Sequence, residues 1–326
     1  MYKLQNKFAI GCLVQWYEIE ILEEYVQSVR NALDIIDRWH RKNVIVHFTL
    51  VTNQQLEKIN DEVSMKDIEK RFIDIMKKDA KPQRKCFRYD IKDSLHTIAD
   101  YRREFNERFC QEADVLMWGE TDSLIPRQTF QILDNLHNNV KDSTPKYVSF
   151  FGTCKMWDES WKVVEHTDFT DKPHIDNDYD NWWSLKYTMS LDEMYDINSK
   201  VEDLDVQVLD QHKFNGCGLV ISSDVIKSGV NIPRSVFFVH EDTAFMMMIR
   251  KVLGNIPQYQ IKNILLVHNR NHPKKRMYVS GERLDGTMNE KRRSNDWYVK
   301  ANKMSEQNTY SLFNNQRIFT WDDVFK

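Results

Sequence analysis

Phe8-Ala9-Ile10-Gly11-Cys12-Leu13-Val14 is a short apolar run that predicts a buried strand. Immediately downstream, Ile19, Leu22, Tyr25, Val26, Val29, Leu33 and Ile36 recur at spacings of three and four, which predicts an amphipathic helix ending near His40. A second apolar strand, Val44 to Val51, then runs into Thr52-Asn53-Gln54. Strand, long helix, strand opens a parallel, doubly wound sheet, because antiparallel neighbours need only a short turn.

Farther along, residues 54–79 are charged and helical in pattern, Phe87 to Ile91 suits a third strand, and Leu95 to Glu112 a helix carrying Arg102 and Arg103. The apolar strand Val115-Leu116-Met117-Trp118 then stops at Gly119-Glu120-Thr121-Asp122. That junction is the most informative in the chain. Ligands of open parallel sheets bind beyond the carboxyl ends of strands, and two acids at i and i+2 can converge there on one cation. Tyr147 to Phe151 predicts another strand, 156–210 irregular acidic structure with short helices, and Asn215 to Ile221 a strand whose glycines admit close approach. His240-Glu241-Asp242 opens a methionine-rich helix to about Leu253, and Ile264 to Val267 is a short strand ending in His268.

With 326 residues, 41 % of them hydrophobic and 29 % charged, the chain buries a sizeable core and is no disordered tail. No apolar run reaches the roughly 18 to 20 residues of a spanning helix, and Met1 to Lys7 has no signal pattern, so a soluble cytoplasmic protein without membrane attachment is expected. Five scattered cysteines, none spaced C-x-x-C, argue against a disulfide framework and a thiolate zinc site. The net charge of −3 hides an asymmetry: residues 250–303 carry +9, and 156–210 carry −11. A uniform polyanion-binding surface is thereby excluded.

Several groupings suit chemistry, each with a plainer alternative. Glu120 and Asp122 are either solvated loop acids or ligands of Mg²⁺ or Mn²⁺ that neutralise a substrate diphosphate. Glu241 and Asp242 either offset a helix dipole or supply a general base for an acceptor hydroxyl. His268 is a structural histidine or a ligand, and Lys274, Lys275 and Arg276 an exposed basic turn or a phosphate-closing loop. Asp176-Asn177-Asp178-Tyr179-Asp180 opens like a calcium loop but has Asn181 at the sixth position and Tyr187 at the twelfth, where the template requires Gly and Glu.

Taken in order, an α/β half ending in E-T-D, then N-G-C-G before a strand, H-E-D-T-A-F opening a helix, and L-L-V-H followed by N-R-N-H-P-K-K-R resembles the GT-A fold glycosyltransferases over residues 8–276. The resemblance implies a Rossmann-like, mostly parallel sheet flanked by helices in a domain of residues 1–278. Within it, 1–126 would bind a nucleotide sugar, 127–278 the acceptor, and 279–326 would be a C-terminal extension. It further implies that Glu120, Thr121 and Asp122 hold the nucleotide and a divalent Mn²⁺ or Mg²⁺, Asp122 being the direct ligand, with His268 as a late metal ligand. Asp242 stands where inverting members keep their base, with Glu241 behind it. Gln15 and Asn53 match regions that hold the nucleotide base, Arg102 or Arg103 a helix residue near the donor, and Lys274 and Arg276 the phosphate-closing loop. The family's first acid is usually Asp where this chain has Glu120, and Thr52-Asn53 replace an Asp usual after the second strand.

A UDP-sugar is the expected donor, and the acceptor stays open. In style and size the chain is similar to DNA-modifying glycosyltransferases of tailed bacteriophages, which act on hydroxymethylated cytosine in double-stranded DNA. Arg270, Lys274, Lys275, Arg276, Arg283, Lys291, Arg292 and Arg293 would then track phosphates, and Trp182 or Trp183 would stack on a flipped base. A polysaccharide or oligosaccharide acceptor is the alternative. A sugar nucleotidyltransferase would need a Gly-rich phosphate loop that Gln15-Trp16-Tyr17-Glu18 does not supply, and an inactive nucleotide-sugar-binding module is the remaining possibility. A monomer or homodimer is expected.

Overall fold

The computed structural model describes residues 1–55, 64–78, 86–152, 155–157, 163–165, 189–210, 212, 216–269, 296–314 and 316–326. In chain order these form β1 (Phe8–Gln15), α1 (Ile19–Asp34), β2 (Val44–Val51), α2 (Met65–Lys77), β3 (Phe87–Lys92), α3 (Ile98–Phe109), β4 (Val115–Glu120), β5 (Ser123–Leu124), α4 (Thr129–Val140) and β6 (Val148–Gly152). There follow β7 (Lys155–Trp157), β8 (Val163–Glu165), α5 (Leu191–Ser199), β9 (Val206–Val208), β10 (Val220–Ser222), α6 (Ser223–Lys227), α7 (Glu241–Leu253), β11 (Gln258–Leu265), β12 (Val267–His268), α8 (Asp296–Tyr310) and α9 (Trp321–Phe325). The main sheet runs β3-β2-β1-β4-β10-β6-β11-β9. Its pairs β3/β2, β2/β1, β1/β4 and β6/β11 are parallel, while β10 runs antiparallel between β4 and β6, and β9 antiparallel along β11. This is the expected α/β class: a large, mostly parallel central sheet flanked by helices.

The first apolar run explains the layering. Successive strand side chains point to opposite faces. Accordingly Phe8, Ile10, Cys12 and Val14 join the core beneath Leu22, Tyr25, Val26, Val29 and Leu33 of α1. Ala9 and Leu13 join the other core, with Phe105 and Phe109 of α3 and Phe245 and Ile249 of α7. Gly11 stands on that second face where Phe105 and Tyr101 press against the backbone, so close that a Cβ there would overlap the Phe105 ring. Gly119, opposite Cys12 on β4, makes the same allowance for the Tyr25 hydroxyl on the first face.

Local chemistry moves several boundaries. The helix expected over Leu95–Glu112 starts at Ile98, because Thr97 and Asp100 form a reciprocal capping box. Within 54–79 the described helix begins at Met65, capped by Ser64, whose hydroxyl accepts from the Asp67 amide at 3.3 Å. α1 stops at Asp34, and Arg41–Asn43 form a single tight turn before β2. The strand expected from Asn215 shrinks to Val220–Ser222, since Gly218 at φ 70° turns the chain. β11 begins at Gln258, six residues before the expected strand, and buries Gln258 and Gln260, polar residues that hide it from an apolar pattern. Inside the acidic stretch a Ser190–Glu193 capping box starts α5. α8 and α9 pack Trp297, Ala301 and Val324 on Phe237 and Phe238. None of the described helices is long and apolar enough to cross a membrane.

Gly11→Ala should cost about 1–3 kcal/mol in urea denaturation by overpacking. Its cost should shrink in a Phe105→Ala background, the two changes being non-additive because they share one contact.

Candidate functional site

At the carboxyl end of β4 the chain turns through Glu120-Thr121-Asp122-Ser123. Ser123 closes the turn, its hydroxyl accepting from the Glu120 amide at 3.3 Å and donating to the Glu120 carbonyl at 3.0 Å. β5 then pairs antiparallel with β12, placing His268 opposite Ser123 and Val267 opposite Leu124. One residue on, the Asn269 amide donates to the Asp122 carbonyl at 2.7 Å. This small ladder brings the His268 imidazole to the acids: Nε2 lies 3.1 Å from Glu120 Oε2 and 3.6 Å from Asp122 Oδ1.

A buried guanidinium closes the other side. Arg102 projects from α3 beneath the sheet's carboxyl edge, only 2 % exposed, with its Cζ 4.7 Å from the Trp118 ring centre. It donates to Glu120 Oε1 at 2.5 Å, to Glu241 at the start of α7, and to the Gly216 carbonyl at 2.9 Å. Gly216 has no room for a side chain: a Cβ would stand 2.5 Å from the guanidinium and 3.3 Å from Asp242 Oδ2. The cluster therefore joins the end of β4, the body of α3, the start of α7, the turn before β10, and β12.

The two acids of the α7 pair point to different surroundings. Glu241 is buried against Arg102, whereas Asp242 is half-buried and accepts from the Thr243 amide through Oδ1 at 2.7 Å. His240, which precedes them, holds a left-handed backbone at φ 67° and ψ 19°, adopted by no other non-glycine among the described residues, and its Nε2 lies 3.1 Å from Asn302 Oδ1 of α8. Such a conformation is uncommon for a residue with a Cβ and is found where surroundings hold it in place.

Among the described residues, electrostatics follows from Glu120, Glu241 and Asp242 acting on the guanidinium of Arg102, with Asp122 beside His268. Burial works to raise Glu120, but Arg102 and His268 outweigh it and hold its carboxyl well below the usual range. Glu241 goes the other way. Burial pushes it up to about 7 against the pull of Arg102, and Asp242 adds to the rise. A neutral Glu241 still accepts from Arg102. Burial opposes the charge on Arg102, yet Glu241, Glu120 and Asp242 raise it above the ordinary arginine value. The surplus of negative charge, with carboxylate oxygens and an imidazole nitrogen converging, fits a divalent cation of the Mn²⁺ or Mg²⁺ kind.

Of the other residues singled out by sequence, Thr121 is buried in the turn. Gln15 donates to the His96 carbonyl at 3.2 Å, and Asn53 to the Asp93 carbonyl at 2.9 Å, so both brace loops beyond the strand ends. Arg103, next to Arg102, points away and holds the carbonyls of Ile232, Pro233 and Val236. Lys274 and Arg276, the rest of the 270–293 basic stripe, Trp182 and Trp183, and the Asp176–Asp180 run lie outside the described residues. Sequence reasoning missed two participants. Asn269 exchanges two hydrogen bonds with the Met189 backbone, a link that no local pattern announces. Cys217, whose thiol lies within 4.8 Å of Glu120 oxygen and His268 nitrogen, was visible in N-G-C-G only as a residue between glycines.

No protein-family model and no curated protein matches the chain. Among solved structures, the chain is similar to GalNAc-T7 crystallised with UDP, GalNAc and Mn²⁺, at 8 % identity and TM-score 0.46, covering 97 % of this chain. This chain spans only 55 % of that structure's length. It is also similar to a mycobacterial protein at 9 % identity and TM-score 0.39, covering 85 % of this chain and 73 % of that one.

A carboxyl whose pKa rises on folding favours the folded chain in acid and ceases to as the pH climbs through the folded value, here about 7 for Glu241. In chelator-treated protein, urea stability should therefore fall from about pH 5 to about pH 8 more steeply in the wild type than in Glu241→Gln. The variant should be the more stable of the two at the alkaline end.

Proposed function

We propose that the chain is a metal-dependent GT-A glycosyltransferase that moves a sugar from a nucleotide diphosphate donor, UDP-linked, to an acceptor hydroxyl. The observation that carries this reading is the convergence of Glu120, Asp122 and His268, residues from distant parts of the chain, at the carboxyl end of a central strand. When bound, Mn²⁺ or Mg²⁺ supplies charge that offsets the departing diphosphate. Asp122, His268 and Glu120 would hold it, with Glu120 fixed in turn by Arg102.

On the opposite side of the anomeric carbon, Asp242 takes the proton of the acceptor hydroxyl, giving an inverting transfer. Its half-buried position supports that role, and the engagement of Glu241 with Arg102 supports a structural one for its neighbour. Gly216 keeps the space between Arg102 and Asp242 free of side chain. Bond by bond, the acceptor oxygen joins the anomeric carbon, the bond to the diphosphate breaks, and the proton passes to Asp242.

For the acceptor we propose hydroxymethylated cytosine in double-stranded DNA, supported by the +9 charge of residues 250–303, which begin inside α7 and run past His268. A glycan acceptor predicts transfer insensitive to ionic strength, whereas DNA requires a steep fall with salt.

Two experiments test the proposal. UDP at roughly 100 times its dissociation constant with Mn²⁺ should raise the melting temperature by several degrees, corresponding to about 2.7 kcal/mol. Asp122→Ala should lose that shift. Asp242→Asn should keep it while losing transfer by at least about 100-fold. Equal loss of donor binding in both variants would contradict the division of roles.

A further inference from the structure

We infer that the Cys217 thiol is a ligand in the same metal site, which makes its donor set oxygen, nitrogen and sulfur and turns it toward Co²⁺, Zn²⁺ and Mn²⁺ in preference to Mg²⁺. The inference rests on the metal-site reading above and narrows it to a class of ion.

Backbone hydrogen bonds bring the turn that carries the sulfur to the end of β4. β10 pairs antiparallel with β4 with Val220 opposite Met117 and Ile221 opposite Leu116. The Trp118 amide donates to the Leu219 carbonyl at 2.9 Å and the Gly218 amide to the Trp118 carbonyl at 3.1 Å, so Trp118 bonds two successive residues and holds the turn beside the end of β4. The glycines flanking Cys217 keep it there. Gly216 closes on Arg102 and Asp242, and Gly218 takes the left-handed φ of 70° that lets the chain turn into the strand.

Distance puts the sulfur among the donors. The Cys217 sulfur, a Glu120 oxygen and a His268 nitrogen all lie within 4.8 Å of one another. Donors about 2.0–2.3 Å from a common ion stand roughly 3.5 Å apart in a tetrahedral site, so small side-chain rotations complete the set. His268 Nε2 is already 3.1 Å from Glu120 Oε2. The three donors also come from three separate pieces of chain, β4, the turn before β10, and β12, and β4 and β12 are anchored through the β5 ladder. Coordination releases the thiol proton to solvent and leaves a sulfur–metal bond, with no redox change. Mg²⁺ prefers six oxygen ligands in an octahedron, whereas sulfur and imidazole suit the later divalent ions.

The full chain titrated with Co²⁺ alone tests this by absorption, because visible d–d bands report binding and an intense near-ultraviolet band reports sulfur-to-cobalt charge transfer. Wild type and Cys86→Ser, which alters a buried thiol at the start of β3, should show both. Cys217→Ser should keep the d–d bands, lose the charge-transfer band, and bind Co²⁺ about tenfold or more weakly relative to Mg²⁺ than the wild type does. Circular dichroism checks that the variant is folded; if it is not, the wild-type spectrum decides, read beside Cys217→Ala. Bound cobalt without charge transfer in the wild type, or charge transfer surviving in a Cys217 variant, overturns the inference and leaves the metal site standing. Absence of any cobalt band overturns both.

Discussion

The buried guanidinium of Arg102 is the interaction on which the site depends. Its three acceptors belong to three segments: Glu120 lies 18 residues from it along the chain, the Gly216 carbonyl 114 and Glu241 139. Removing Arg102 would leave the Glu120 carboxylate without its counter-charge, and breaking a buried pair in that way typically costs about 3–5 kcal/mol. Arg102 therefore sets the spacing between the acids at the end of β4 and those at the start of α7. The face of the Trp118 indole bounds it on one side, and Asn106 fixes the indole in turn by accepting its Nε1–H at 2.9 Å.

Around this centre the sheet does the positioning by register. The antiparallel β10, inserted between two parallel strands, delivers a turn to the carboxyl end of β4, where a parallel strand in its place would deliver one to the opposite end. The two-residue ladder of β5 and β12 does the same for His268. Polar side chains fasten the remaining segment. Asn269 pairs with the Met189 backbone, and Asn198 exchanges two hydrogen bonds with the Leu265 backbone, so the chain that returns at 189 is tied to β11 and β12.

The frame was legible in the sequence wherever apolar periodicity was undiluted: β1, β2 and β4 read directly, and α1 followed from its repeat. Glu120, Asp122, Glu241, Asp242 and His268 could each be singled out because their segments end apolar runs or open apolar helices. What escaped was decided by tertiary pairing. Nothing in Asp100-Tyr101-Arg102-Arg103 says which arginine turns inward; one step along a helix rotates a side chain by about 100°, and packing alone sends Arg102 to the acids and Arg103 to the 232–236 carbonyls. β11 escaped because Gln258 and Gln260 satisfy their polar groups inside the protein, an arrangement that hydropathy scores as surface. Cys217 escaped because a ligand supplied by a single residue leaves no spacing to recognise.

The left-handed His240 has a consequence for the order in which the molecule is assembled. The segment leading to it is held from one side by α3, where Thr97 donates to the Phe237 carbonyl and Arg103 to carbonyls of 232–236. From the other side it is held by α8, where Asn308 donates to the Ser235 carbonyl, Ser305 to the Val239 carbonyl, and Asn302 meets the His240 ring. During synthesis the first grip exists early and the second only once residues beyond 300 have left the ribosome. The sheet can form before then, but the backbone turn that aims Glu241 and Asp242 has half its supports missing. Competence of the α7 end thus waits on residues 302–308, which are made after the turn that they hold.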